Sequence, residues 1–233
     1  MLLDLQKRKI NNIEKQDNKR ILEQLQKDLH LVNRPKHIEC FDNSNIQGTN
    51  PVAACVVFKN GKPSKKDYRN FNIKTVIGPD DFASMEEVVY RRYKRLLEED
   101  QPLPQLIIID GGKGQLSSSL KSLDSLGLRG KIAIIGIAKR LEELFYPDDP
   151  IPLYIDKKSE TLKIIQQLRN EAHRFSIEHH RKRRSKGTLT TELENIPGVG
   201  ERTIVDLMKN FKTVKRIANA KLDELEAFVG VSR

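Results

Sequence analysis

Leu106-Ile107-Ile108-Ile109-Asp110-Gly111-Gly112-Lys113-Gly114-Gln115 sets four aliphatic residues against an abrupt Asp-Gly-Gly. An unbroken apolar run of that length describes a strand buried on both faces, and the glycines end it. Downstream, the pattern predicts a helix over 115–126, closed by Gly127, and then a second apolar strand over 132–138. Upstream, Phe82, Met85, Val89, Tyr93 and Leu96 mark one face of a helix running to about residue 99, stopped by Pro102 and Pro104. Three strand-like runs precede it, at 37–41, 53–58 and 68–73. The last two are joined through Lys59-Asn60-Gly61-Lys62, where Asn-Gly signals a hairpin. Residues 140–160 read as loop. A long helix follows over 159–184, with Leu162, Ile165, Leu168, Ala172 and Phe175 on one stripe. At the other end, Ile21, Leu22, Leu25 and Leu29 give residues 1–30 one thin apolar stripe on a charged helix that docks by it.

Three strands, helix, strand, helix, strand and a closing helix make an α/β fold with a mixed sheet covered by helices. This is the element order of the RNase H-like fold. The polar stretch 185–191 reads as a linker, and residues 193–233 are too few to fold without a neighbour. The expected division is an N-terminal helical segment at 1–33, an RNase H-like domain at 34–186, and a small all-α region at 187–233.

The chain has 233 residues and a formal charge of +10. No apolar run approaches the roughly 20 residues of a membrane helix, and the N-terminus turns charged at once, so no leader or membrane partner is expected. Cys40 and Cys55 lie in strand-like runs and read as buried thiols of a cytoplasmic protein. The basic excess favours a polyanion, and its placement says more. Arg174, Arg181, Lys182, Arg183, Arg184 and Lys186 crowd one stretch against the single acid Glu178, beyond what a helix C-terminus calls for. His179 and His180 belong to the same basic face.

Asp42 ends the first strand and Asp110 the fourth. Aspartate favours turns for its own reasons. If the two strands are neighbours, however, the carboxylates converge and can hold a hard divalent cation. His173 sits one residue off the stripe of the long helix, where an imidazole can ligate the ion or shuttle a proton. Gly111-Gly112-Lys113-Gly114-Gln115 lacks the spacing of a nucleotide-phosphate loop, which excludes a nucleotide cofactor. Its backbone N–H groups and Lys113 still suit a scissile phosphate. Of Asp80 and Asp81, one caps the following helix and the other can approach the metal. Ile196-Pro197-Gly198-Val199-Gly200 has the form of a helix-hairpin-helix turn, whose glycines let backbone N–H groups approach a DNA phosphate. Phe228-Val229-Gly230-Val231-Ser232 reads as the opening of a second copy, which marks the chain as a fragment.

Cys40-Phe41-Asp42, Gly78-Pro79-Asp80-Asp81-Phe82 with Arg91-Arg92-Tyr93, Ile109 to Gln115, and Arg169-Asn170-Glu171-Ala172-His173-Arg174 resemble, in this order, the C-terminal half of the UvrC family. These are the excinuclease subunits of bacterial nucleotide excision repair. The resemblance covers about residues 30–233. It implies an RNase H-like endonuclease with tandem helix-hairpin-helix motifs that makes the 5′ incision beside a lesion in double-stranded damaged DNA. It further implies a catalytic triad of Asp42, Asp110 and His173 that holds Mg²⁺ or Mn²⁺, with Asp81 as a further acidic position. Lys113, Arg181, Lys182, Arg183 and Arg184 would hold the strand, together with the turn Pro197, Gly198, Val199 and Gly200. The implied partner is a UvrB–DNA complex, met through regions that the resemblance does not reach, as it does not reach the family's GIY-YIG nuclease. Two other readings compete: an endonuclease V-like enzyme at deaminated bases, and a catalytically silent DNA-binding scaffold.

Overall fold

The structure, a computed structural model, describes residues 2–44, 52–76, 78, 80–138, 143–194, 196 and 199–226. The chain divides into two compact units, residues 1–177 and 178–233.

The first unit is built on a seven-stranded mixed sheet. Its strands are β1 (His37–Ser44), β2 (Val52–Lys59), β3 (Lys62–Pro63), β4 (Arg69–Asn72), β5 (Leu106–Asp110), β6 (Ala133–Ile137) and β7 (Leu144–Phe145). The order is β3-β2-β1-β5-β6-β7, with β4 also paired to β2. β1, β5 and β6 run parallel, while β2 and β7 are antiparallel to their neighbours. Every residue of β5 is buried, as a parallel strand covered on both faces requires. Helix α1 (Leu2–Asp28), α2 (Asp81–Glu98), α3 (Lys113–Ser125) and the start of α4 (Glu160–Glu194) supply the cover. The architecture is the RNase H-like one expected from the element order.

The hairpin forms as its turn residues dictate. Asn60 and Gly61 both take positive φ (53° and 78°), the pair of angles a tight two-residue turn between twisted strands needs. β3 is two residues long, and one further bond, from the Ser64 N–H to the Val57 carbonyl at 2.8 Å, closes the hairpin before the chain turns away. A 3-10 turn over Lys65–Asp67 intervenes before β4 resumes pairing, Arg69 opposite Cys55.

Two expectations change. Within the supposed loop, β7 adds to the edge of the sheet, Phe145 opposite Gly136, too short a segment to show a period. The supposed linker is helical. α4 continues to Glu194, since 185–191 contains no proline and Gly187 costs only about 1 kcal/mol.

Leu22, Leu25 and Leu29 are buried in the main core, so the α1 stripe docks as expected. Thr161 Oγ1 donates to Asp28 Oδ2 at 2.5 Å, and Tyr146 OH donates to the Leu29 carbonyl at 3.0 Å. The opposite face of the sheet is held by charge. Glu39, fully buried on β1, accepts from Arg92 Nη2 (2.6 Å), Arg92 Nε (3.2 Å) and Tyr93 OH (3.0 Å), all from α2. His37 Nε2 lies 3.1 Å from the same carboxylate.

The second unit contains α5 (Glu201–Phe211), α6 (Val214–Ala218) and α7 (Leu222–Glu226). Leu193, Ile204, Leu207 and Ile217 form its small core, with Val199 and Phe211 packed against it. Thr213 caps α6 by accepting from the Arg216 N–H.

Burial opposes ionisation of Glu39, but hydrogen bonds from His37 and Arg92, with Arg92's charge, outweigh it and hold the carboxyl at about 2. A depressed carboxyl stabilises fully above its unfolded value of 4.5, and the contribution is lost as pH falls toward about 2. Urea unfolding should show this loss in the parent and not in Glu39→Gln. Arg92→Met, which strands the carboxylate, should lose about 3–5 kcal/mol at neutral pH.

Candidate active site

β1 and β5 are parallel neighbours, and their register sets Asp42 directly opposite Asp110. Residues paired in this way project from the same face, so the two carboxylates arise side by side from strands about 4.8 Å apart. Both lie at the carboxyl ends of parallel strands, where sheets of this kind gather their ligands. Asp42 is 1% exposed and Asp110 4%. Glu39, three residues before Asp42, points to the α2 face, so Asp42 points to the other one.

That other face carries α4. His173 Nδ1 lies 3.4 Å from Asp42 Oδ2, and the imidazole remains 56% exposed. Leu168 and Ala172 beneath it are fully buried. The turn is clamped from the side: Tyr68 meets Phe175 edge-on at 5.2 Å and donates to Glu171 Oε1 at 3.2 Å. Arg174 grips Glu171 and holds its carboxyl low, against the opposing effect of burial. Burial, then the Glu171 charge, raise the Tyr68 phenol, which keeps it a donor.

Arg169 went unassigned in the sequence. It lies one helical turn before His173, on the same side of α4. The Cys40 thiol, two residues from Asp42, is pushed well up by burial and by Asp110 and Asp42, with Arg169 opposing. A permanent cation is therefore felt at Cys40, on the strand that carries Asp42. Its signals in the sequence were its place at the head of the Arg169-Asn170-Glu171-Ala172-His173-Arg174 motif and the i, i+4 spacing to His173.

Asp80 is the cap of α2, accepting from the Phe82 and Ala83 N–H groups at 3.0 and 2.9 Å. Asp81 is the first helical residue, and its carbonyl accepts from Asn43 Nδ2 at 3.0 Å. That bond fixes Asp81 to the residue following Asp42. Lys113 is placed differently from the expectation. It opens α3, but its Nζ donates to the Pro150 carbonyl at 2.7 Å and lies 5.1 Å from the Phe145 ring centre. It braces the β7 edge. Phe82, read as part of the buried stripe, is 54% exposed, and the buried stripe starts at Met85. Arg181, Lys182, Arg183 and Arg184 lie on α4, with side chains outside the described residues. Pro197, Gly198 and residues 227–233, with the second hairpin copy, also lie outside them. Val199 packs on the small core, and Gly200 caps α5.

Two carboxylates in register with an imidazole alongside offer hard oxygen donors and one nitrogen, a set that suits a divalent cation. Among the described residues, no three His, Cys, Asp or Glu side chains form a finished cage for an ion. Among them also, no helix is long and apolar enough to cross a membrane.

A mixed sheet of this strand order, covered by helices and carrying Asp42 and Asp110 in register at the ends of parallel strands, has the architecture of the RNase H-like class. Residues 26–177 match the family described as the UvrC RNase H endonuclease domain, and residues 190–233 match a SAM-like helix-hairpin-helix tandem. The chain belongs to the UvrC RNase H endonuclease domain family. The UvrABC system protein C of Flavobacterium johnsoniae is 74% identical over 214 residues, 92% of this chain and 36% of that protein. That of Porphyromonas gingivalis is 65% identical over 210 residues, 90% and 35% of the two. The chain thus spans little more than a third of the relatives it matches. An endonuclease V from Bacillus subtilis aligns with a TM-score of 0.36 at 13% identity, over 66% of this chain and 90% of that one. So loose a likeness carries no weight for the site.

The loop after Asp110 has a built-in constraint. A Cβ on Gly136 of β6 would come within 2.9 Å of the Gly111 carbonyl oxygen. Gly136→Ala should therefore displace this loop and cost roughly 1–3 kcal/mol in urea unfolding. Any cleavage that depends on Asp110 should fall with it.

Proposed function

We propose that this chain is the nuclease and DNA-holding part of an excision-repair endonuclease that makes the 5′ incision beside damaged nucleotides in double-stranded DNA. The observation that carries this reading is the side-by-side register of Asp42 and Asp110. The family's name and the helix-hairpin-helix match support the repair context. The setting is the bacterial cytoplasm, and the working assembly includes UvrB on DNA, met through regions outside this chain.

Asp42 and Asp110 are the oxygen ligands of a divalent ion, Mg²⁺ or Mn²⁺, and His173 completes the set. When bound, such an ion lowers the pKa of a water molecule and neutralises charge on the phosphodiester. The residues do the positioning. Burial of both aspartates keeps water from competing for their oxygens. The exposed edge of the His173 imidazole is free to ligate or to hold a proton at the solvent side. Asp81, at the start of α2, supports the site from the rim. Backbone N–H groups at the starts of α3 and α5 are suited to phosphates. The cations Arg181, Lys182, Arg183 and Arg184 supply sequence-independent grip on the strand.

Nicking of supercoiled plasmid tests the nuclease reading. The parent should nick with Mg²⁺ or Mn²⁺ and stop with EDTA, while Asp42→Asn and Asp110→Asn should lose at least about a hundredfold. Equal nicking by parent and variants would overturn the assignment. Separately, replacing Arg181, Lys182, Arg183 and Arg184 by Gln should weaken duplex binding. The slope of log affinity against log salt should flatten by roughly 0.9 for each phosphate that is no longer neutralised. An unchanged slope would remove that cluster from the DNA.

A further inference from the structure

We infer that Phe82 is a stacking platform for an unstacked nucleobase at the rim of the nuclease site, next to the scissile phosphate. The inference rests on the nuclease reading above and adds a second element of substrate recognition to it.

Phe82 has the helical phase of a core residue, three before Met85 and seven before Val89, both fully buried. Yet more than half of its surface is open, because the first turn of α2 lies at the margin of the core. Its surroundings bracket the strand ends. The neighbouring Asp81 carbonyl is tied to Asn43, next to Asp42. The ring itself rests on Gly114, four residues past Asp110: a Cβ there would come within 2.5 Å of ring atom Cε1 and 2.9 Å of Cζ. The glycine is a flat seat that steadies one part of the ring and leaves the remainder exposed. Asp80 rigidifies the same turn by capping it. The other large exposed apolar residue of α2, Leu97, is at the far end of that helix.

An exposed aromatic ring whose Cε1–Cζ edge is seated on a glycine, beside the proposed phosphodiester-cleaving centre, has a natural occupant, because each scissile phosphate carries a base on either side. Bases stack on aromatic rings with little regard to sequence. A paired base within a duplex is unavailable, whereas a base beside a lesion or mismatch is cheap to unstack. Phe82 would thus make this chain favour locally distorted DNA by its own chemistry, without a sequence code.

The test uses the full chain, a duplex carrying 2-aminopurine within a three-nucleotide bubble, and the same duplex fully paired, in metal-free buffer. Phe82→Leu keeps apolar bulk over Gly114 but removes the aromatic face, while Phe82→Tyr and Phe82→Trp keep the face. The expected result is about tenfold weaker bubble binding by the Leu variant with paired-duplex binding unchanged. 2-Aminopurine quenching should be retained by the parent, Tyr and Trp proteins and lost in Leu. With Mn²⁺, nicking of the bubble should follow the same order. Parental behaviour of the Leu variant overturns the inference. So does an equal decline of the Leu, Tyr and Trp variants, which would make the ring a packing piece or a protein contact. A parent that neither nicks nor prefers the bubble to the paired duplex overturns both this inference and the nuclease reading. A parent that nicks without any bubble preference overturns the inference alone.

Discussion

Everything at the site depends on the parallel ladder between β1 and β5. The strands are separated by more than sixty residues of chain, and their pairing is not local. What sets the register is the apolar lining: Ile38 lies opposite Leu106 and Cys40 opposite Ile108 on the face that also carries the aspartates. A slip of one residue would turn every side chain of β1 to the other face. Asp42 would then enter the α2 side and Glu39 would leave Arg92 and Tyr93 behind. The buried Glu39–Arg92 pair therefore acts as a lock on the register. A carboxylate desolvated without its guanidinium is far costlier than a misplaced leucine.

A division of labour between the faces follows. On one side, ion pairing and Tyr93 fasten α2, and the Asn43 bond carries that order to Asp81 at the edge. On the other, α4 lies on apolar residues and is trimmed by Tyr68, Phe175 and Glu171 so that His173 faces Asp42. Two buried carboxylates side by side call for positive charge. Arg169 contributes a fixed one that is felt at Cys40, two residues from Asp42, and a divalent ion would bring more. Rigidity is concentrated where geometry matters to within fractions of an ångström.

Much of this was legible beforehand, for identifiable reasons. The unbroken apolar run before Asp110 and the strand-like run before Asp42 announced two strands with carboxylates at their ends, and Asn60-Gly61 announced its own turn. The stripe through Leu168 and Ala172 placed His173 near the sheet. What stayed hidden depended on tertiary partners. β7 exists only because the edge of β6 offers it hydrogen bonds, and two residues carry no period. Lys113 looked like a phosphate ligand because its neighbours in sequence surround Asp110, but a long flexible side chain goes to the best acceptor in reach, here the Pro150 carbonyl. Phe82 kept the right phase for burial and lost it only because the helix begins at the margin of the core. Periodicity reports an angle around a helix axis, not a position along it.

The stripe on α1 bears on where this nuclease could be cut from a longer chain. Leu22, Leu25 and Leu29 belong to the same core as the sheet, although the strands begin only at His37. The family match starts at residue 26, in the middle of this stripe. An excised piece that began there would lose both Leu22 and Leu25 and keep only Leu29 of the buried stripe, leaving an oily scar on an otherwise charged exterior. The smallest portable unit of the nuclease is thus longer than its strands and helices of catalysis. α1 is the lid of the core as well as the road into it.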